Sequence, residues 1–286
     1  MTLRAFDHIV LVARDLDAQA RLFEQLGFTL TPLAQHPWGT ANRLVQMQGV
    51  FLELLSLGSI AIEPPAAGHF SFGAFTRDYL ARREGIAMLV LRTTDAATDR
   101  AQWRSRGLET YELFDFSRSA TLPDGRSVTV AFTLCFVTDP QMPEALFFVC
   151  QQHYPENFWK PEFQVHANGA TGVATVWMAA AQPHRHASFF ARLTDERAVR
   201  MDGNAVHVAM QNGALIVADP ADLATQFSGQ VDAAVTEGPR FVGLAVTVDV
   251  ARTRLIVGQV GLSVEDDGHA LRLGPDKAFG TTLVLR

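Results

Sequence analysis

Two ionisable residues stand in otherwise apolar segments, and their types suit metal binding or proton transfer. His8 follows Asp7 in the β-rich run FDHIVLV, and Glu53 is the one charged residue in VFLELLSL. Removing a carboxylate from water is costly unless a cation or a hydrogen-bond donor meets it. An imidazole and a carboxylate that converge on one cavity suit Zn, Ni, Mn or Fe(II). The competing interpretation is that strand alternation turns Glu53 to solvent and that His8 is a hydrogen-bonded strand residue.

A second group of polar side chains lies in the segment HPWGTANR, residues 36–43. Gly39 allows a tight hairpin turn within it. Arg43 has the fork geometry that binds a carboxylate or a phosphate, and Asn42 can orient a carbonyl group. Trp38 can provide an apolar wall beside them. We predict that Trp38, Asn42 and Arg43 bind the substrate. The alternative is a hairpin tip with exposed polar residues.

The elements that would position these residues form an internal repeat. Each unit is an apolar strand, an aspartate that can cap a helix, an amphipathic helix and a glycine that ends it. The aspartate and the glycine are 12 residues apart in three copies: Asp15 and Gly27, Asp95 and Gly107, Asp249 and Gly261. A less regular fourth copy runs from Val173 to Thr194, with Thr194 in place of the glycine. Three matched spacings predict a fold built from one repeated unit.

Length and composition limit the classes of function. The 286 residues are 48% hydrophobic and carry a net charge of -6, which suits about two globular domains and argues against nucleic acid as a partner. No apolar run is long enough to predict a membrane-spanning helix, and the first residues have the pattern of a strand rather than of a signal peptide. Cys135 and Cys150 form no disulfide framework or CxxC pair. We therefore expect a cytoplasmic protein with free thiols.

The segments DHIVLVARDLDAQARLFEQLGF and HPWGTANRLVQMQGVFLELLSL resemble the first module of glyoxalase-like proteins in the vicinal oxygen chelate superfamily. The resemblance implies an α+β fold in which βαβββ modules pair around a cavity. We therefore predict four modules in two glyoxalase-like domains. The first domain covers residues 1–155, with modules at about 5–57 and 85–152. A packed linker at 156–170 leads to a degenerate second domain at 171–286.

The resemblance also implies a divalent metal between two modules, with ligands from the first and last strands. His8 and Glu53 occupy such positions. The last strand of the second module offers four candidates for a third ligand: Cys150, Gln151, Gln152 and His153. Strand alternation allows either Cys150 with Gln152, or Gln151 with His153, on the cavity face. The predicted ligand set is His8, Glu53 and Gln152.

Departures from the family pattern limit the reaction that the resemblance implies. Met88 occupies a position where glyoxalase-type sites commonly have histidine, which argues against glyoxalase I activity. Val217 and Val284 align with Glu53 in the second half of the chain. The second domain is thus predicted to lack a metal site, which argues against ring-cleaving dioxygenase activity.

Three candidate functions follow. The first is a metal-dependent lyase, isomerase or hydrolase that acts on a small oxygenated molecule, with Glu53 moving a proton. The second is a metal-free protein that binds or sequesters a small molecule. The third is an enzyme without metal, in which His8 and Glu53 act as an acid–base pair. The chain is expected to be a monomer or a homodimer.

Overall fold

A computed structural model describes residues 3–121, 125–229, 231–232, 235 and 238–286. The helices are α1 (Leu16–Gln25), α2 (Phe72–Arg82), α3 (Ala96–Ser105), α4 (Pro155–Phe158), α5 (Ala187–Leu193), α6 (Pro220–Gln226) and α7 (Val250–Gln259). Within these described residues, no helix is long and apolar enough to cross a membrane.

The strands form two mixed sheets with the same order. The first half of the chain provides β1 (Phe6–Val12), β2 (Ala34–Gln35), β3 (Thr40–Gln46), β4 (Phe51–Leu57), β5 (Gly85–Thr93), β6 (Glu109–Thr110), β7 (Phe114–Thr121), β8 (Ser127–Thr138) and β9 (Leu146–Gln152). The second half provides β10 (Gly172–Ala179), β11 (Val199–Asp202), β12 (Ala205–Met210), β13 (Gly213–Ala218), β14 (Arg240–Thr247), β15 (Glu265–Asp266), β16 (Leu271–Leu273) and β17 (Thr282–Leu285). The first sheet runs β2-β3-β4-β1-β5-β9-β8-β6, with β7 paired to β8, and the second runs β11-β12-β13-β10-β14-β17-β16-β15.

This repeated order confirms the predicted α+β fold of four βαβββ modules. The predicted caps begin the helices: the Asp15 carboxylate accepts a hydrogen bond from the Ala18 backbone N–H at 2.8 Å, and Asp95 and Asp249 act in the same way. Gly27 follows α1 with a φ of +86°, a conformation that glycine adopts without steric cost. The second module departs from the others by adding the long hairpin β7–β8.

One predicted correspondence between the domains is off by a residue. In the first sheet Glu53 lies opposite Val10, and in the second sheet the matching pair is Trp177 and Ile216. The residue that the sequence aligns with Glu53 is Val217, which lies on the other face of β13. The alignment pairs Gly49 with Gly213, but Gly49 lies inside the turn between β3 and β4 and Gly213 is already the first residue of β13, so the alignment slips by one position.

The two sheets differ in what covers their concave faces. In the second sheet Trp177 and Phe227 are fully buried against each other, with ring centroids 5.0 Å apart. In the first sheet α2 covers only part of the concave face, through Phe72 and Tyr79. The remaining space is a cavity. The convex faces share one apolar core, in which Phe147 of the first sheet packs against Phe241 of the second.

The connection between the sheets is tied down by buried polar residues. The backbone N–H of Thr29 donates to Nδ1 of His166 at 3.0 Å, and Nε2 of His166 donates to the Gln46 carbonyl at 2.7 Å. The Asn168 side chain donates to the Leu26 carbonyl at the end of α1. The bond from Thr29 requires the neutral imidazole, because a protonated Nδ1 cannot accept a hydrogen bond.

This arrangement predicts a pH-dependent stability. Burial lowers the pKa of His166, whereas histidine in an unfolded chain titrates near pH 6.5. The unfolded chain therefore binds more protons below that pH, and the free energy of unfolding decreases as the pH falls through it. We expect His166→Gln to show a smaller decrease than the wild type in urea unfolding between about pH 7.5 and pH 5.5. His184→Gln, at an exposed position, should leave the decrease unchanged. An equal decrease in His166→Gln and the wild type would contradict the assignment.

Candidate functional site

The cavity of the first sheet has a volume of about 490 Å³ and is mainly apolar. Eight aromatic side chains contribute to its wall: Trp38, Phe51, Phe72, Phe116, Phe132, Phe148, Phe158 and Phe163. His8 and Glu53, which line its floor, are only 5% and 7% exposed. The competing interpretation, in which Glu53 faces bulk solvent, does not match this placement.

A bulge in β1 brings a second carboxylate to His8. Phe6 and His8 lie two residues apart on β1, yet their partners Leu91 and Val90 are adjacent on β5. The intervening Asp7 is therefore displaced from regular alternation, and its fully buried side chain reaches the neighbouring imidazole. Asp7 Oδ1 lies 2.7 Å from His8 Nδ1. A carboxylate can only accept, so Nδ1 carries the hydrogen and Nε2 is directed away from Asp7.

Aromatic contacts fix the plane of the His8 ring. The ring of Phe51 stacks on it at 4.3 Å between centroids and 14° between planes. Phe148 meets the imidazole edge-on at 5.6 Å. With Nδ1 bonded to Asp7, the ring has little freedom to tilt or to flip.

Glu53 faces the free nitrogen of His8. Its Oε2 lies 3.7 Å from His8 Nε2, which is beyond hydrogen-bond distance, and its Oε1 accepts from Asn42 Nδ2 at 2.6 Å. The parallel pairing of β1 and β4 explains the approach, because Glu53 lies opposite Val10, two residues beyond His8 on the same face. The result is a row of three side chains: carboxylate, imidazole and carboxylate.

A second imidazole lines the cavity near Glu53. His36 Nδ1 lies 2.8 Å from Thr40 Oγ1, and the His36 ring stacks on Trp38 at 4.6 Å. Burial lowers the pKa of His36, and the charge of Glu53 offsets this only in part. The indole N–H of Trp38 is buried without a hydrogen-bond partner among the described residues. His36 is thus neutral at pH 7 and adds a polar group to an apolar wall.

The structure brings four of the six predicted site residues together in the cavity lining and leaves out Arg43 and Gln152. Trp38 and Asn42 line the cavity with His8 and Glu53. Arg43 lies on the opposite face of β3, where its guanidinium is 3.8 Å from the Asp17 carboxylate of α1. Strand alternation is the reason, because adjacent residues of β3 cannot both face the cavity. Arg43 is therefore not placed to bind a ligand there.

The four candidates for a third metal ligand occupy different places. Gln151 accepts from the Ala96 backbone at the start of α3, and the His153 ring bonds Thr133. Cys150 lines the cavity, but burial raises the pKa of its thiol well above the ordinary range, which disfavours the metal-binding thiolate. Gln152 Nε2 donates to Asp7 Oδ2 at 3.0 Å. It therefore lies behind the imidazole, on the side of Nδ1.

These positions do not complete a metal centre. Among the described residues, no group of three His, Cys, Asp or Glu side chains is arranged to hold a metal ion. Met88 and Phe148 occupy the positions on β5 and β9 that correspond to His8 and Glu53. Gln152 Oε1 is buried without a partner, but its side chain is anchored on the far side of Asp7. Two ligands fall short of the three that a catalytic metal usually has.

The segment 154–163 covers one side of the cavity. The Gln46 amide holds it at two points: Nε2 donates to the Phe158 carbonyl, and Oε1 accepts from the Lys160 backbone, both at 3.0 Å. The ring of Phe158 lies 5.1 Å from that of Phe51. This segment therefore closes the site as well as connecting the domains, whereas the sequence predicts only a packed linker there.

Sequence reasoning missed Asp7 as a partner of His8. Regular alternation would place the two side chains on opposite faces, and nothing in FDHIVLV marks the bulge. The one available signal was a charged residue next to the histidine inside an apolar strand. Arg118 was also missed, because the hairpin that carries it has no counterpart in the other modules.

Comparisons with known proteins agree with this architecture. The solved structures that resemble the chain include a hypothetical protein from Staphylococcus aureus, with a TM-score of 0.67, 12% identity and 99% of each chain covered. A variant of 4-hydroxymandelate synthase from Streptomyces coelicolor matches with a TM-score of 0.53 and 12% identity over 100% of this chain and 93% of that one. Homoprotocatechuate 2,3-dioxygenase from Arthrobacter globiformis matches with a TM-score of 0.52 and 13% identity, covering 99% and 79%.

At these identities the structural matches show the fold alone. A search of curated proteins found no significant sequence match. The family model of the glyoxalase-like domain matches residues 6–194. This range includes the residues that line the cavity, the strands β1 and β10, and α5. The chain therefore belongs to the glyoxalase-like domain family, within the vicinal oxygen chelate superfamily.

Proposed function

We propose that this chain is an enzyme that transfers a proton on a small oxygenated molecule, as an isomerase or a lyase, in the cavity of the first sheet. The observation that carries the proposal is the buried row of Asp7, His8 and Glu53. Three ionisable side chains at the floor of an apolar cavity are costly to bury, and an apolar cavity with a few convergent polar groups is typical of an active site. A cavity that only sequestered a ligand would not need them.

His8 is the group that we assign to proton transfer. Asp7 holds the hydrogen on Nδ1, so the lone pair of Nε2 can accept a proton from a bound molecule. The imidazolium that forms lies between two carboxylates, which stabilise its charge. Asn42 holds Oε1 of Glu53, and Oε2 stays directed at His8. The aromatic wall limits the access of water, which strengthens these interactions.

In a second candidate function, the site binds a divalent cation, as the family resemblance implies. The pairing of Asp7 with His8 Nδ1 is also the arrangement that orients metal-binding histidines, and Nε2 and Glu53 Oε2 face each other without a hydrogen bond. A bound cation would act as a Lewis acid on a carbonyl oxygen of the substrate. His8 and Glu53 are the two residues that would hold it. No further His, Cys, Asp or Glu side chain of the described residues completes the ligand set.

Other properties complete the proposal. Cys135 and Cys150 are both free and buried, which supports the proposed cytoplasmic location. The acidic net charge supports a small-molecule ligand rather than nucleic acid. We keep the division at residues 156–170 as the proposed domain boundary, and a monomer or a homodimer as the proposed assembly.

Replacement of His8 tests the proposed reaction. The purified protein would be incubated in D2O with a panel of 2-oxo acids and 2-hydroxy ketones, and deuterium at the carbon next to the carbonyl would be followed by proton NMR. We expect His8→Ala to slow the exchange by about 10²–10⁴-fold, the usual contribution of a general base. His69→Ala, at an exposed loop position, serves as the control and should leave the rate unchanged. Full activity of His8→Ala, or no exchange of any compound by the wild type, would contradict the proposal.

Asp7→Asn tests whether Asp7 positions the imidazole. An amide can donate to Nδ1, which would leave the hydrogen on Nε2 and block the base. We expect the rate constant kcat to fall by roughly 100-fold while KM changes little. Asp115→Asn, at an exposed carboxylate outside the cavity lining, is the matched control. A parallel loss of kcat and of folded structure by circular dichroism would indicate a structural role instead.

Elemental analysis separates the two candidate functions. Protein purified without a chelator or a histidine tag would be analysed before and after incubation with Zn, Mn, Ni and Fe(II). The acid–base proposal expects metal well below one equivalent and exchange activity that survives EDTA. Near-stoichiometric metal that is lost in both His8→Ala and Glu53→Ala would instead establish the cation-dependent function.

A further inference from the structure

Two cationic side chains in the wall of the cavity have no acidic partner in the described part of the chain. Along β7, alternate residues face the cavity, and Arg118 follows Phe116 on that face. Its side chain is exposed, so it lies at the mouth rather than at the floor. Among the described residues, no carboxylate is within salt-bridge distance of its guanidinium.

The second cation is Lys160, on the segment that covers the cavity. Its backbone N–H is fixed by Gln46 Oε1, so the residue is held at the wall although its side chain is long. Lys160 is half-buried and, in the described part of the chain, also has no ion-pair partner. Arg118 and Lys160 come from different elements and line the same cavity.

The cationic and anionic side chains of the cavity occupy different parts of its lining. The chain as a whole carries a net charge of -6, yet the cavity lining includes two cations, Arg118 and Lys160, that have no ion-pair partner among the described residues. The one carboxylate among the described lining residues is Glu53, at the floor. An anionic group would be attracted to the mouth and repelled from the floor, so this arrangement would orient an anion-bearing ligand.

The walls between the mouth and the floor suit a flat apolar body. Trp38, Phe51, Phe132, Phe148 and Phe158 surround the space with ring faces and edges. Aromatic rings prefer offset-stacked and edge-to-face contacts with one another, which such a wall can provide to a ligand ring. A cavity of about 490 Å³ lies within the range of sites for small molecules.

We infer that the ligand of this site is an aromatic molecule with one anionic group, a carboxylate or a phosphate, which Arg118 and Lys160 bind at the mouth. The ring would lie against the aromatic wall and its oxygenated end near His8. The inference rests on the proposed function only in taking the ligand to be the substrate.

Binding measurements test the inference without turnover. The probes are 3-phenylpropanoate, phenyl phosphate and the neutral 3-phenylpropanamide, and the dissociation constant Kd would be measured by calorimetry at low and high salt. We expect at least one anion to bind roughly tenfold more tightly than the amide, with the difference reduced by salt. The double variant Arg118→Gln, Lys160→Gln should lose this preference and retain binding of the amide. Arg104→Gln, at an exposed cation on α3 outside the cavity, should keep the preference.

The outcomes are separable from those of the proposed reaction. His8→Ala should keep the wild-type preference for the anion over the amide, so a failure of the catalytic role leaves this result intact. Whichever anion binds more tightly identifies the group as carboxylate or phosphate. Equal binding of the amide and both anions, a preference that survives the double variant, or no binding of either anion at millimolar concentration would each overturn the inference.

Discussion

The hydrogen bond between the Asp7 carboxylate and His8 Nδ1 determines what the rest of the site can do. It exists because a bulge in β1 displaces Asp7 from the alternation of the strand. It sets the tautomer of the imidazole and leaves Nε2 facing Glu53. The stacking of Phe51 and the bond from Asn42 to Glu53 then hold the two functional atoms at 3.7 Å. Without the bulge the imidazole would have no orienting partner.

The module architecture explains why this site has only half of a metal centre. Two pseudo-symmetric modules line the cavity, so each ligand position occurs twice. The first module carries His8 and Glu53, and the second has Met88 and Phe148 at the corresponding positions. Of these two apolar residues, Phe148 packs edge-on against the imidazole. Phe148 thus stands where a metal ligand would be expected and also supplies packing that fixes His8.

Much of the fold could be predicted from the sequence, because its signals are local. The caps Asp15, Asp95 and Asp249 and the glycines 12 residues later appear in the structure at the helix ends. The site was predictable where strand alternation holds, as for His8 and Glu53. It was not predictable at Asp7, where a bulge breaks alternation, or at Arg43, whose face depends on the register of β3. Arg118 depends on a hairpin that only the second module contains.

The filled concave face of the second sheet fixes how many ligands one chain can take. Trp177 and Phe227 occupy there the space that remains open beside His8 in the first sheet. In the part of the chain that the structure describes, the concave face of only one of the two similar sheets is therefore open to a ligand. One chain thus has one binding site of this kind rather than two. Saturation should follow a simple hyperbola with a stoichiometry of one, and any sigmoidal response would have to originate in contacts between separate chains.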